Sequence, residues 1–194
     1  VYYPNTKKLL MNRSICALLL ILFVISCKTP EARRPVSHSS GSYIDASIAR
    51  NKKLNKAEET AIKELMAQNP EVEYFASDKG FWYYYNTRDT TALPTAQTGD
   101  LVTFDYEINA LNGASIVSKA ELGTQTYQIE QSNQELISGL KDGLKLMKEG
   151  ETVTFLLPSH KAFGYYGFED KIGSNLPIQT TVTLNDIKPG NSEN

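Results

Sequence analysis

Cysteine is nearly absent from this chain of 194 residues: there are two, Cys16 and Cys27, both near the start. The rest of the chain therefore has no disulfide and no Cys-based zinc site to build on. Histidine is equally scarce. His38 sits in a Ser-rich stretch, and His160 follows Pro158-Ser159. The two are far apart and have no ligand cluster around them, so both read as solvated surface residues, and no metal is expected. Charge of one sign is lacking too. The formal net charge is −2 and no basic stripe appears, which argues against nucleic acid as a partner. A nucleophilic Cys and a Ser/His/Asp signature are also missing, so a hydrolase has little to work with. What remains is a 41% apolar composition, enough for a core, and a length that suits one ordinary domain plus extra segments.

Long apolar runs are confined to residues 15–26. That run is too short to span a bilayer comfortably and fits the apolar region of a signal peptide, expected over residues 1–26. Met11-Asn12-Arg13 makes the better beginning, since a basic start then precedes the run directly. Lys7 and Lys8 would serve equally well, so both starts stay open. The run closes on Val24-Ile25-Ser26-Cys27, which resembles a bacterial lipobox, with a small residue before the acylated Cys. Cys27 is then the lipidation site, and several acyl chains would hold it where one would be marginal. A core helix or a signal anchor is the competing reading. Lys28 stands where an Asp retains enterobacterial lipoproteins at the inner membrane, so the periplasmic face of the outer membrane is favoured. Residues 27–43, rich in Ser, Pro and charge, form a flexible tether.

A helical pattern covers residues 44–70. Ala57, Ala61, Ile62, Leu65 and Met66 make its stripe, Asn55 with Glu58 offers a capping box, and Pro70 closes it. Glu58 falls on the polar face with Lys52, Lys53, Lys56, Glu59, Lys63 and Glu64. Such a helix docks on the main domain, spaces it from the membrane, or pairs with a second copy as a homodimer.

From residue 81 the pattern turns to strands. Phe81 to Asn86 is strand-like by its aromatics. Residues 88–99 form a Thr-rich loop with Pro94. Val102, Phe104, Tyr106 and Ile108 alternate with polar residues, Asn112-Gly113 makes a turn, and Ile116-Val117 extends the pairing. Ile137, Leu140, Leu144 and Met147 then recur at helical spacing, with Ser132 and Glu135 as a second capping box. Gly139 and Gly143 cost this helix about 1 kcal/mol each against Ala, so a sheet lying close across it is expected. Gly150 ends the helix. Val153, Phe155 and Leu157 read as a half-buried strand, and Val182 and Leu184 point inward from the last strand. An irregular loop, residues 165–175, intervenes.

Taken in order, Gly99-Asp100 through Tyr106, Asn112-Gly113, the segment 135–143, Met147 to Gly150, Pro158, Ala162-Phe163-Gly164 and Leu176-Pro177 resemble an FKBP-type peptidyl-prolyl cis-trans isomerase. The resemblance covers residues 80–188. With the lipobox, the amphipathic segment and the aromatic run from Gly80 to Asn86, the chain looks most like the gliding-motility-associated FKBP lipoproteins of Bacteroidota. The implied fold is α+β, an FKBP-like twisted antiparallel sheet wrapped around a short helix, preceded by the amphipathic helix and the lipoprotein signal peptide. No cofactor is implied, and the partners are proline-containing protein clients and a membrane that holds the lipid.

Carried over by position, the catalytic contacts are Tyr106, Ile137 and Phe163, with the Ile137 N–H a free donor at the helix entrance. Substrate-binding residues are Ile116, Tyr127, Leu136, Leu140, Leu176 and Leu184. Taken singly, each apolar member is ordinary core packing; only the joint pattern marks a pocket. Several positions depart from the family. Leu140 replaces a floor Trp, Ile116 and Leu184 replace Phe, Val117 replaces an Asp, and Phe163 replaces a Tyr. The pocket stays apolar but loses two polar handles, each worth about 1 kcal/mol. Tyr165, Tyr166 and Phe168 are placed to restore contact area or gate access. The expected function is isomerisation of Xaa-Pro bonds in periplasmic or outer-membrane clients, including those of a gliding machine. The alternative is a membrane-tethered chaperone or binding module with a worn, weakly active pocket.

Overall fold

In the computed structural model the described residues are 41–131 and 135–190. Helix α1 runs Gly41–Gln68. Pro70 cannot continue it, and Asn69 closes it by donating its side-chain amide to the Leu65 carbonyl at 2.9 Å. The helix passes unbroken through Asn55, so the capping box expected from Asn55 and Glu58 does not form. The buried face is also rotated from the expected stripe. Ala57 and Ala61 are exposed, while Glu58, Ile62 and Leu65, spaced four and three apart, turn inward. Glu58 is therefore not on the polar face. The reason is tertiary: α1 docks on the sheet domain, and Glu58 meets Ser159 there.

The domain is a single antiparallel sheet of seven strands. They are β1 (Phe75–Ala76), β2 (Trp82–Thr87), β3 (Leu101–Ala110), β4 (Ser115–Val117), β5 (Gln125–Gln128), β6 (Thr152–Leu157) and β7 (Ile178–Lys188). The order across the sheet is β1-β2-β6-β7-β3-β4. β4 and β5 share one edge of β3: Val117 pairs with Ile108 near one end, and Gln128 to Gln125 pair with Leu101 to Phe104 at the other. A one-turn helix α2, Lys119–Leu122, fills the gap between them. The tight β3–β4 turn uses Gly113 at φ 84°, where a side chain would be strained.

Helix α3, Ser138–Leu144, lies across the sheet. Its N-cap is Ile137 without a side-chain cap bond, so the box expected from Ser132 and Glu135 does not open it; Ser132 lies outside the described residues. Leu140, Leu144 and Met147 are fully buried, as their spacing predicts. The two glycines have the reason expected of them. A Cβ on Gly139 would lie 2.7 Å from the Leu157 methyls and 2.9 Å from the Lys161 carbonyl oxygen. One on Gly143 would lie 2.8 Å from the Phe155 ring. β6 is pressed against the helix backbone.

β6 is not the half-buried strand that its alternation predicts. Residues 153–157 are all buried. Val153, Phe155 and Leu157 join the main core with α3. Leu156, on the opposite face, lines a cleft with Leu65 of α1, so the docked helix covers what would be a solvent face. Thr154 survives burial because its hydroxyl donates to Asn86 Oδ1 at 2.8 Å and meets Thr181 at 2.9 Å.

Gly139→Ala tests the close approach. Helix propensity alone would stabilise by about 1 kcal/mol. Overpacking against a backbone carbonyl costs about 1–3 kcal/mol and wins. The urea midpoint should fall; a rise would contradict the contact.

Candidate active site

β3, β5 and the approach to α3 enclose a cleft of about 300 Å³ lined by Phe104, Tyr106, Gln125, Thr126, Tyr127, Glu135 and Leu136. Alternation puts Phe104 and Tyr106 on the same face of β3, with ring centroids 5.7 Å apart. Tyr127 comes from β5, paired with Val102 and almost fully buried. Three residues expected from the sequence, Tyr106, Tyr127 and Leu136, thus meet at one cleft. A wider cleft of about 600 Å³ lies between α1 and the loop after β6, lined by residues that include Arg50, Asn55 and His160. The narrower cleft is the candidate site because three residues expected from the sequence meet there.

None of the other expected residues lines this cleft. Leu140 and Leu184 have no exposed surface and belong to the core. Ile116 packs half-buried on the same core from β4. Ile137 stands at the mouth of α3. Its carbonyl accepts from the Leu140 and Lys141 amides at 3.0 and 3.1 Å. Among the described residues its own N–H has no acceptor, which leaves a donor at the helix entrance. Phe163, half-buried, follows the short 3-10 turn Ser159–Lys161. Leu176 is not brought in: it is 48% exposed and stands apart from the core.

Where the chain departs from the expected polar handles, the structure shows apolar replacements. Val117 is buried in the core. Phe163 meets Phe168 with ring centroids 4.9 Å apart, so Phe168 does add aromatic contact to Phe163, although neither ring lines the cleft. Tyr165 and Tyr166 do not: they pair with each other and remain exposed. Burial raises the Tyr106 hydroxyl above the usual phenol range, which keeps it a protonated donor at neutral pH. No partner takes that hydroxyl among the described residues. Phe104 was legible as an inward residue of β3 but was not singled out. Ser159 gave no sequence signal, and Glu58 read only as a cap on the polar face of its helix.

Polar contacts hold the walls in place. Asp105, on the face of β3 opposite Tyr106, accepts from Thr124 Oγ1 at 2.6 Å and Asn185 Nδ2 at 2.9 Å, and Lys119 Nζ lies at 3.0 Å. One carboxylate thereby ties β3 to β7, to α2 and to the entry of β5. These bonds, Thr124 first, lower its pKa to about 2. Lys171 pairs with Glu121, linking the loop after Gly164 to α2. Lys161 and Lys145 both reach Asp142 of α3, and Lys145 also reaches Glu130, whose pKa that bond lowers. Among the described residues no acidic or His/Cys cluster is arranged to hold a metal.

Residues 94–185 match the family model described as FKBP-type peptidyl-prolyl cis-trans isomerase. The chain is 34% identical over 143 residues to a probable FKBP-type peptidyl-prolyl cis-trans isomerase FkpA of Neisseria meningitidis serogroup B, covering 73% of this chain and 49% of that protein. It therefore spans about half the length of that relative. Among solved structures, a peptidyl-prolyl cis-trans isomerase of Pseudomonas syringae pv. tomato aligns with TM-score 0.55 and 22% identity, over 71% of this chain and 95% of that one. FkpA from Escherichia coli aligns with TM-score 0.55 and 20% identity, over 92% of this chain and 82% of that one. At such identities these two likenesses speak for the fold alone.

The Asp105 contacts generate a pH prediction. A carboxylate whose folded pKa is lowered stabilises the fold above its unfolded value, about 3.9, and that contribution is lost as pH falls toward about 2. Asp105→Asn should flatten the loss of stability between about pH 4 and pH 2. Urea midpoints across that window check it; identical slopes would contradict the role given to Asp105.

Proposed function

The domain at residues 94–185 belongs to the FKBP-type peptidyl-prolyl cis-trans isomerase family, and from that premise we propose that this chain catalyses cis-trans isomerisation of Xaa-Pro bonds at the Phe104–Leu136 cleft. The observation that carries the reading is the meeting of Tyr106, Tyr127 and Leu136 beside the open Ile137 amide. The barrier, about 18–20 kcal/mol, comes from amide resonance that resists twisting. No nucleophile is needed. A proline ring seated among Tyr106, Tyr127 and Leu136 packs on aromatic and aliphatic side chains, contacts that favour the twisted, less polar amide. The Ile137 N–H holds the flanking carbonyl, and the Tyr106 hydroxyl offers a second donor. Groups that bind the twisted form better than the planar one lower the barrier.

The same reading places the chain at the periplasmic face of the outer membrane, held by lipid on Cys27, where its clients are proline-containing proteins in folding. The resemblance to gliding-motility lipoproteins makes parts of such a machine the proposed clients. Cys27 lies outside the described residues, so this rests on the lipobox alone. Pairing of two copies through residues 44–70 is supported by Tyr43, Ile44 and Ile48, which α1 leaves exposed. A second reading, a binding module with weak turnover, draws on Phe163: it has no hydroxyl to offer and spends its ring on Phe168.

Adding the purified chain should speed cis-to-trans relaxation of a short Xaa-Pro peptide. Leu136→Ala should lower kcat/KM roughly tenfold, the scale of one buried aliphatic contact. A wild-type rate equal to buffer would sink the isomerase reading. Suppression of client aggregation that survives Leu136→Ala would favour the binding module. In cells, Cys27→Ser should abolish labelling by a fatty-acid probe; retained labelling would contradict the anchor.

A further inference from the structure

Helix α1 lies before the segment that matches the isomerase family. It nevertheless reaches the turn that carries Phe163 through one buried carboxylate. Glu58 is 5% exposed and Ser159 2%. The Ser159 backbone N–H donates to Glu58 Oε2 at 2.8 Å, and the Ser159 hydroxyl donates to Oε1 at 2.7 Å. Among the described residues no cation pairs with Glu58. A buried charge is costly unless its hydrogen bonds are made, and Ile62 and Leu65 already give this face of α1 its apolar contact. An aliphatic residue at position 58 would dock the helix without that desolvation cost. The carboxylate does something an aliphatic side chain cannot: it fixes both the backbone and the side chain of Ser159.

Ser159 opens the turn that carries Phe163. Its carbonyl accepts from the Ala162 amide at 3.0 Å and the Gly164 amide at 2.8 Å. The Gly164 carbonyl in turn accepts from the Asn175 amide at 2.7 Å. Hydrogen bonds thus run from Glu58 to both ends of the loop that follows Phe163, with Phe163 held between Ala162 and Gly164. We infer that Glu58 is a positioning residue for prolyl isomerisation, setting the Phe163 wall through Ser159. The helix is then a working part of the site rather than a spacer. This inference rests on the isomerase reading for its kinetic part and on geometry for the rest.

The test uses the full chain with Glu58→Ala, Glu58→Gln and, as control, Glu59→Ala, whose carboxylate faces solvent beside Lys63. Gln keeps an oxygen for the Ser159 N–H and offers its own N–H to the hydroxyl oxygen. Two readouts are taken: kcat and KM on an Xaa-Pro peptide, and the amide resonances of Gly164 and Asn175. Emission of Trp82, the single Trp, whose ring lies 5.6 Å from Lys63 Nζ, reports whether α1 stays docked. Glu58→Ala should move both amides and lower kcat/KM roughly tenfold, the loss expected when a buried donor loses its acceptor. The loss should be shared between a lower kcat and a higher KM, while Glu58→Gln and Glu59→Ala stay near wild type. Unmoved amides overturn the inference. So does a wild-type kcat/KM in Glu58→Ala, or a fall in kcat alone, which loss of folded protein would give. If the wild type itself does not turn over the peptide, the isomerase reading fails separately. The amides then decide the positional claim: shifts in Glu58→Ala that are absent in Glu58→Gln support it, and unchanged spectra overturn it.

Discussion

The contact on which the rest of the structure depends is the bare face of α3 pressed on β6. Gly139 and Gly143 leave no room for a side chain, with Leu157 and Phe155 filling the space a Cβ would take. That approach fixes the depth at which α3 sits. Depth in turn closes Leu140 into the core, sets Ile137 at the start of α3 and brings Leu136 to the cleft that Tyr127 lines. It also brings the Lys161 backbone within reach of α3, so the turn to Phe163 is registered on the same helix. Two residues with poor helix propensity are tolerated because the interface needs them.

Much of this was legible in the chain. Alternation gave β3 and β7, aromatic content gave β2, Asn112-Gly113 gave the β3–β4 hairpin, and the glycine pair with Leu140, Leu144 and Met147 gave both the helix and its close partner. The site was legible through the family resemblance, which implied Tyr106, Tyr127 and Leu136, and these three meet at one cleft. Two things were not. β6 reads as half-buried because Thr154 and Thr152 look like a solvent face. Only the docking of α1 and hydrogen bonds to Asn86 and Thr181 make that face interior. Glu58 reads as a cap because a glutamate three residues after an asparagine has that local use. Its true partner is 101 residues away, and a pair at that separation leaves no periodic trace.

The cleft makes modest chemical demands. Under the proposed function, apolar contacts with two donors near the reacting amide are enough to favour its twisted form, the Ile137 amide being one and the Tyr106 hydroxyl the other. Leu140, where the family resemblance implies an aromatic floor, is closed inside the core. Phe168 packs on Phe163 in the loop after β6. Lys171 with Glu121, and Glu58 through Ser159, hold that loop from two sides.

The central claim is that the Ile137 amide at the mouth of α3 works on a prolyl bond. Ile137 has φ −59° and ψ 143°, a conformation open to proline. Ile137→Pro would therefore delete the donor while leaving the backbone path intact. Exchange NMR of an Xaa-Pro peptide with small amounts of each protein gives the most direct measurement. The account predicts cis-trans exchange faster than buffer with the wild type, and a rate close to buffer with Ile137→Pro at an unchanged unfolding midpoint. Wild-type exchange rates in a folded Ile137→Pro variant would contradict it.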